Sequence, residues 1–123
     1  MNIGTSYTAT TTVNSTNTAA ALGSGDMDVF ATPAMVALME NAAMNAVAPL
    51  LSDGQTTVGT QITTSHIKAS ALGATITATA VLTAVEGRSL TFEITARDGE
   101  NIIGAGSHTR FIVDRERFLS KLK

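Results

Sequence analysis

The sequence predicts an α+β domain: a curved antiparallel sheet wrapped around one long helix. Three observations carry this. From Pro33 to Ala48 the only polar side chains are Glu40, Asn41 and Asn45, and a helix apolar nearly all round is buried on most sides. Downstream the hydrophobic period changes to two, with Leu90, Phe92, Ile94 and Ala96 alternating with Ser89, Thr91, Glu93, Thr95 and Arg97, the pattern of a half-buried antiparallel strand. Tight-turn pairs, Glu86-Gly87 and Asp98-Gly99, separate the strand candidates, and such turns join antiparallel neighbours.

In chain order, the Thr-rich stretch 5–13, with Tyr7 and Val13, predicts a first strand. Residues 14–28, rich in Asn, Ser, Gly and Asp, read as a loop leading to the helix. Thr32 is a candidate N-cap, Pro33 suits the first helical position, and Pro49 marks the stop. Ser52-Asp53-Gly54-Gln55 is turn chemistry. Residues 57–69 form a strand candidate through Val58, Ile62 and Ile67, and Ala71-Leu72-Gly73 breaks it. Residues 74–85 follow, with Ile76, Ala78, Ala80, Leu82 and Ala84 on one face, then 88–97 and 102–113. Asp114 to Leu122 predicts a short polar helix.

A helix in the curve of one sheet leaves its far side and a strand edge open, and a second copy covers both. A homodimer, or a dimer of dimers, is therefore expected.

The 123 residues suit a single domain, 1–123, and 44% hydrophobic against 15% charged residues excludes a disordered chain. The net charge of -2 and the lack of a basic stripe argue against nucleic acid as a partner. The absence of cysteine rules out disulfides, thiolate catalysis and Cys-based zinc sites, and two histidines make a His-rich metal site unexpected. No apolar run approaches a membrane span of roughly 20 residues, and the polar N-terminus has no signal-peptide pattern. A cytoplasmic protein without membrane association is the expectation.

Among candidate functional residues, Glu40 is the only charge in the apolar helix, and unpaired charges are rarely buried without a role. His66, between Ser65 and Ile67, offers proton transfer near neutral pH or a plain strand position. Thr32 offers a cap, or a hydroxyl where the helix dipole favours a developing oxyanion. His108 reads as the weaker candidate, more structural than catalytic. Arg110, Lys68 and Arg88 suit either phosphate contacts or a solvated strand face. Gly104-Ala105-Gly106 lacks the third glycine of a phosphate loop and fits a close backbone approach or a bulge in a curved sheet. Met35, Met39 and Met44 suit core filling or the lining of an acyl pocket.

Several stretches together resemble the fluoroacetyl-CoA thioesterase family of the hotdog fold. They are Val29-Phe30-Ala31-Thr32 through Met35, Leu38-Met39-Glu40, Ala48-Pro49, Gly59-Thr60 with His66, Val85-Glu86-Gly87-Arg88, Asp98-Gly99, and Ile103-Gly104 through His108 to Arg110. The resemblance implies a hotdog thioesterase that cleaves a short acyl-CoA thioester to free acid and coenzyme A. It implies Thr32, Glu40 and His66 as the catalytic set, with Phe30, Gly59 and Arg110 around the substrate. Coenzyme A is then part of the substrate, and no metal or other cofactor is expected. In the family's namesake, aromatic residues just before the helix cover the acyl group. Here that stretch is Gly23-Ser24-Gly25-Asp26, so selectivity for the fluorinated group does not follow, while the hydrolytic set stands. Two other readings fit such a domain: a hotdog dehydratase or hydratase, and a non-catalytic acyl-CoA-binding domain.

Overall fold

A computed structural model describes every residue from Met1 to Lys123. The chain runs β1 (Ser6–Thr12), α1 (Ala19–Leu22), α2 (Thr32–Val47), a 3-10 turn (Ala48–Leu50), β2 (Gln55–His66), β3 (Thr75–Glu86), β4 (Ser89–Asp98), β5 (Asn101–Asp114) and α3 (Arg115–Ser120). The strands form one five-stranded sheet in the order β1-β3-β4-β5-β2, antiparallel throughout. β1 and β2 are thus its free edges.

The core lies between the concave face of this sheet and α2. Ile76, Ala78, Ala80 and Leu82 of β3 and Leu90, Phe92, Ile94 and Ala96 of β4 are buried against Met35, Met39, Ala42, Ala43, Ala46 and Val47 of α2. Burying each large apolar side chain contributes about 1.5–3 kcal/mol. The alanines facing α2 are small enough to let the helix settle close to the sheet. The opposite stripe of α2, Pro33, Ala37 and Asn41, is exposed in the single chain.

Four local expectations need correction. Thr32 is not the cap: the Ala31 carbonyl accepts the first helical bond, from the Met35 amide at 3.0 Å, so Ala31 holds the capping position without a side-chain cap. That frees the Thr32 hydroxyl for another partner. The loop 14–28 contains one helical turn, because Thr18 Oγ1 accepts from the Ala21 amide at 3.1 Å and Gly23, at φ 73°, closes the turn left-handed. The strand expected over 57–69 stops at His66, leaving Ile67 71% exposed. Finally, the register of β3 slips between Leu82 and Ala84. That bulge takes Ala84 off the fully buried face and adds twist to the strand.

The other turns form where glycine permits: Gly54, Gly73, Gly87 and Gly99 all have positive φ. In β5 the demand is for space. A β-carbon on Gly104 would meet Met35 Sδ at 2.7 Å and crowd the Ser65 carbonyl, and one on Gly106 would collide with the backbone of Thr63 and Thr64. The sheet curves around α2 at this point, and only glycine allows so close an approach. No helix is long and apolar enough to cross a membrane.

Candidate active site

The sequence-derived residues fall into two groups along the space between α2 and β2. The first is at the N-terminus of α2. Thr32 Oγ1 and His66 Nδ1 are joined by a hydrogen bond of 2.8 Å, tying the helix start to the last residue of β2. The Phe30 ring packs edge-on against the His66 ring, with centroids 6.4 Å apart. Phe30 is itself buried, so it is the wall that holds the imidazole in place. Burial pushes the His66 pKa down from 6.5, partly opposed by the Lys68 backbone, which favours the neutral, proton-accepting ring. Its Nε2 is buried with no hydrogen-bond partner. Such an orphaned group costs about 1–3 kcal/mol and marks a place where a ligand or water would bind. A cavity of about 270 Å3 opens here, bordered by Ser24, Phe30, Thr32, His66 and Lys68. Because α2 begins without a side-chain cap, its first-turn amides and dipole also point positive charge into this region.

The second group surrounds Glu40. Arg110 is 6% exposed, and its Nε donates to Thr57 Oγ1 at 2.8 Å and its Nη2 to the Thr57 carbonyl at 3.0 Å. Its Nη1 donates to His108 Nε2 at 3.2 Å and lies 3.8 Å from Glu40 Oε2. His108 in turn donates from Nδ1 to the Gln61 carbonyl at 2.7 Å. A carbonyl only accepts and a guanidinium only donates, so His108 is fixed as the neutral Nδ1–H tautomer. Its pKa is lowered by burial first and by Arg110, with Gln61 and Glu40 opposing. Both ring nitrogens are thus engaged, and His108 holds the Arg110 guanidinium in place.

Gly59 completes this group. A β-carbon there would lie 3.2 Å from His108 Cε1, 3.3 Å from Glu40 Oε2 and 3.4 Å from Arg110 Nη1. Glycine leaves that space free beside a carboxylate whose side chain is 41% exposed. A cavity of about 280 Å3 is lined by Glu40, Gly59, Thr60, Gln61, Ile62 and His108.

Thr32 and His66 therefore meet, and Gly59 and Arg110 meet Glu40, but one chain does not unite the two groups. Thr32 and Glu40 are eight residues apart on α2, a separation of roughly 12 Å at 1.5 Å per residue. Arg110 turns into the protein and is neither part of a solvated strand face nor placed for a surface phosphate. Lys68 and Arg88 remain exposed. Of the Glu40 group, His108 reads from the sequence as structural, and Thr57 is assigned no part there. The available signal was spacing, since His108 and Arg110 two apart on a strand must share a face. No group of side chains suited to holding a metal ion is present.

A family model described as fluoroacetyl-CoA-specific thioesterase matches residues 13–116. The chain belongs to that family. Fluoroacetyl-CoA thioesterase of Streptantibioticus cattleyicolor is 44% identical over 96 residues, covering 78% of this chain and 69% of that protein. The crystal structure of the fluoroacetyl-CoA thioesterase FlK superimposes with a TM-score of 0.92 at 38% identity, covering 99% of this chain and 95% of that one. A point mutant of FlK in complex with fluoroacetate and CoA gives 0.90, also at 38%, covering 96% and 99%. A Thermus thermophilus thioesterase-superfamily protein, at 22% identity, has a TM-score of 0.90 over 98% of this chain and 90% of that one, a likeness of fold alone. The fold is the hotdog fold, and membership in this family makes the chain a thioester hydrolase.

Proposed function

We propose that this chain hydrolyses a short-chain acyl-CoA thioester with Thr32, Glu40 and His66, at a site completed by a second copy. The observation that carries the reading is the buried, unpartnered Nε2 of His66, held by Thr32 beside an uncapped helix start. In the tautomer whose Nδ1–H donates to Thr32 Oγ1, Nε2 carries the lone pair and accepts a proton from water once substrate binding brings water to it. The thioester carbonyl then lies at the N-terminus of α2, where the first-turn amides and the dipole stabilise the oxyanion. Glu40 promotes attack, either by adding to the carbonyl or by taking a proton from water. Water enters, the C–S bond breaks, and the products are a carboxylic acid and the coenzyme A thiol.

The free edge of β2 supports the second copy. Gly59, beside Glu40, and His66, beside Thr32, both lie on this edge strand. Two copies paired antiparallel along β2, in a register that sets the His66 end of one strand beside the Gly59 end of the other, keep both α2 helices on one side of the joined sheet. That register brings Thr32 and His66 toward the other copy's Glu40 and satisfies two exposed strand edges at once.

Thiol release from acetyl-, fluoroacetyl-, butyryl-, phenylacetyl- and long-chain acyl-CoA tests this, with Glu40→Gln beside the wild type. The expected result is turnover of the short esters that depends on Glu40. Thiol release no faster than in the variant would reject the hydrolytic role, and saturable binding without turnover would point to an acyl-CoA-binding domain.

A further inference from the structure

We propose that a basic, aromatic pocket on the outer face of the sheet binds a phosphorylated adenine nucleotide, namely the nucleotide end of the coenzyme A substrate. The pocket lies between the β3–β4 turn, the end of β5 and α3, with a cavity of about 250 Å3. Arg88, Arg117 and Lys121 supply the charge, and Phe111 and Phe118 the apolar walls. None of these residues takes part in either group around Thr32 or Glu40.

The charge is concentrated. The chain carries a net charge of -2, yet residues 115–123 contain Arg115, Arg117, Lys121 and Lys123 against a single carboxylate, Glu116. The one ion pair in the molecule is Arg110 with Glu40, so Arg88, Arg117 and Lys121 are unpaired. Arg117 and Lys121 are four residues apart and project from one side of the C-terminal turn. Arg88 approaches from the opposite wall, its Nη1 donating at 3.4 Å to the Ile112 carbonyl. Cations converging from two elements suit phosphate groups, to which guanidinium and ammonium make charge-assisted hydrogen bonds.

The walls suit a base. Phe111 is 42% and Phe118 37% exposed, which is much open aromatic surface for a chain with 4% aromatic residues. A planar base stacks on such rings. Asp114, also at the pocket, is an acceptor for an exocyclic amino group.

Position connects the pocket to the chemistry. Phe111 follows Arg110 in β5, and alternation along a strand puts their side chains on opposite faces. Arg110 pairs across to Gly59 and Phe111 to Val58, so the pocket backs onto the row that holds Glu40. With the β2 edge paired to the second copy, the pantetheine arm has to round the strand ends at Gln55 and Asp114 to carry the thioester to the concave side.

This inference rests on the thioester-hydrolase reading, and its test separates the two. Adenosine 3′,5′-bisphosphate binding is measured by calorimetry on the wild type and on an Arg117→Glu, Lys121→Glu double variant, with Arg88→Gln as a second variant. KM and kcat are measured for acetyl-CoA and for acetyl-pantetheine. The expected result is one bisphosphate per chain, lost in the double variant. The variant's KM for acetyl-CoA rises by about tenfold or more, while kcat and the constants for acetyl-pantetheine stay at wild-type values. No bisphosphate binding, or equal effects on both esters, overturns the proposal while leaving the hydrolase reading intact. Bisphosphate binding with an unchanged KM for acetyl-CoA overturns the assignment to the substrate's own nucleotide. Bisphosphate binding with no hydrolysis of any ester supports the pocket and rejects the hydrolase reading.

Discussion

Gly59 leaves open the space in which a β-carbon would stand 3.3 Å from the Glu40 carboxylate. The other two neighbours of that space, His108 and Arg110, are buried and hydrogen-bonded in place. Glu40, whose side chain is 41% exposed, is the neighbour able to yield. Gly59→Ala should therefore cost only about 1 kcal/mol of stability, because the carboxylate swings outward. The displacement should lower kcat/KM by about tenfold or more. Denaturant melts beside thiol-release kinetics check this, and a large stability loss with normal kinetics would contradict it.

The His108–Arg110 network makes a second prediction, on stability. His108→Ala removes a buried ring and strips Arg110 Nη1 and the Gln61 carbonyl of a partner. A loss of about 2–3 kcal/mol is expected. The pH dependence has a definite sign. Burial lowers the folded pKa of His108 below 6.5, so the unfolded chain binds the proton more readily. The stabilisation is complete above pH 6.5 and is lost as pH falls from there through the folded pKa. Chemical denaturation at several pH values should show stability falling on acidification, less steeply in His108→Gln. His66 is shifted in the same direction, so a residual slope should persist until it too is replaced.

How much of this was legible in the sequence follows from which forces were local. The helix and the strands β3 and β4 were visible because burial imposes its own period, and Leu90, Phe92, Ile94 and Ala96 all face the core. The turns at Gly54, Gly73, Gly87 and Gly99 were visible because left-handed backbone needs glycine. The bulge beyond Leu82 and the end of β2 at His66 were not, since both depend on how a partner strand curves. Thr32 shows the limit most clearly. A threonine before a proline carries a capping signal, but its hydroxyl goes to an imidazole 34 residues away, which no local rule encodes. The resemblance to the thioesterase family named Thr32, Glu40 and His66, but not the separation of Glu40 from the other two within one chain.

The catalytic pH profile offers a third prediction. If neutral His66 accepts the proton, kcat/KM should fall on acidification with a midpoint below 6.5, because burial holds its pKa down. Thr32→Val removes the hydroxyl bonded to Nδ1 at 2.8 Å while keeping the shape. The variant should lower kcat by about tenfold or more and leave folding nearly unchanged. Thr32→Ser should recover much of the rate, and an unaltered rate in the valine variant would exclude Thr32 from the reaction.

The decisive prediction concerns where the site is completed. Glu40→Gln and His66→Ala should each be inactive alone, with kcat reduced by about 100-fold or more. If Glu40 of one copy serves His66 of the other, a mixed dimer contains one site with both residues intact. Random reassortment of equal amounts gives half mixed dimers, so about a quarter of all sites recover in a symmetric two-fold assembly. Unfolding and refolding the two variants together, then measuring thiol release, reads this directly. If each site lay within one protomer, every site in the mixture would lack Glu40 or His66, and no activity would return. The roughly 12 Å between Thr32 and Glu40 along α2 argues for recovery.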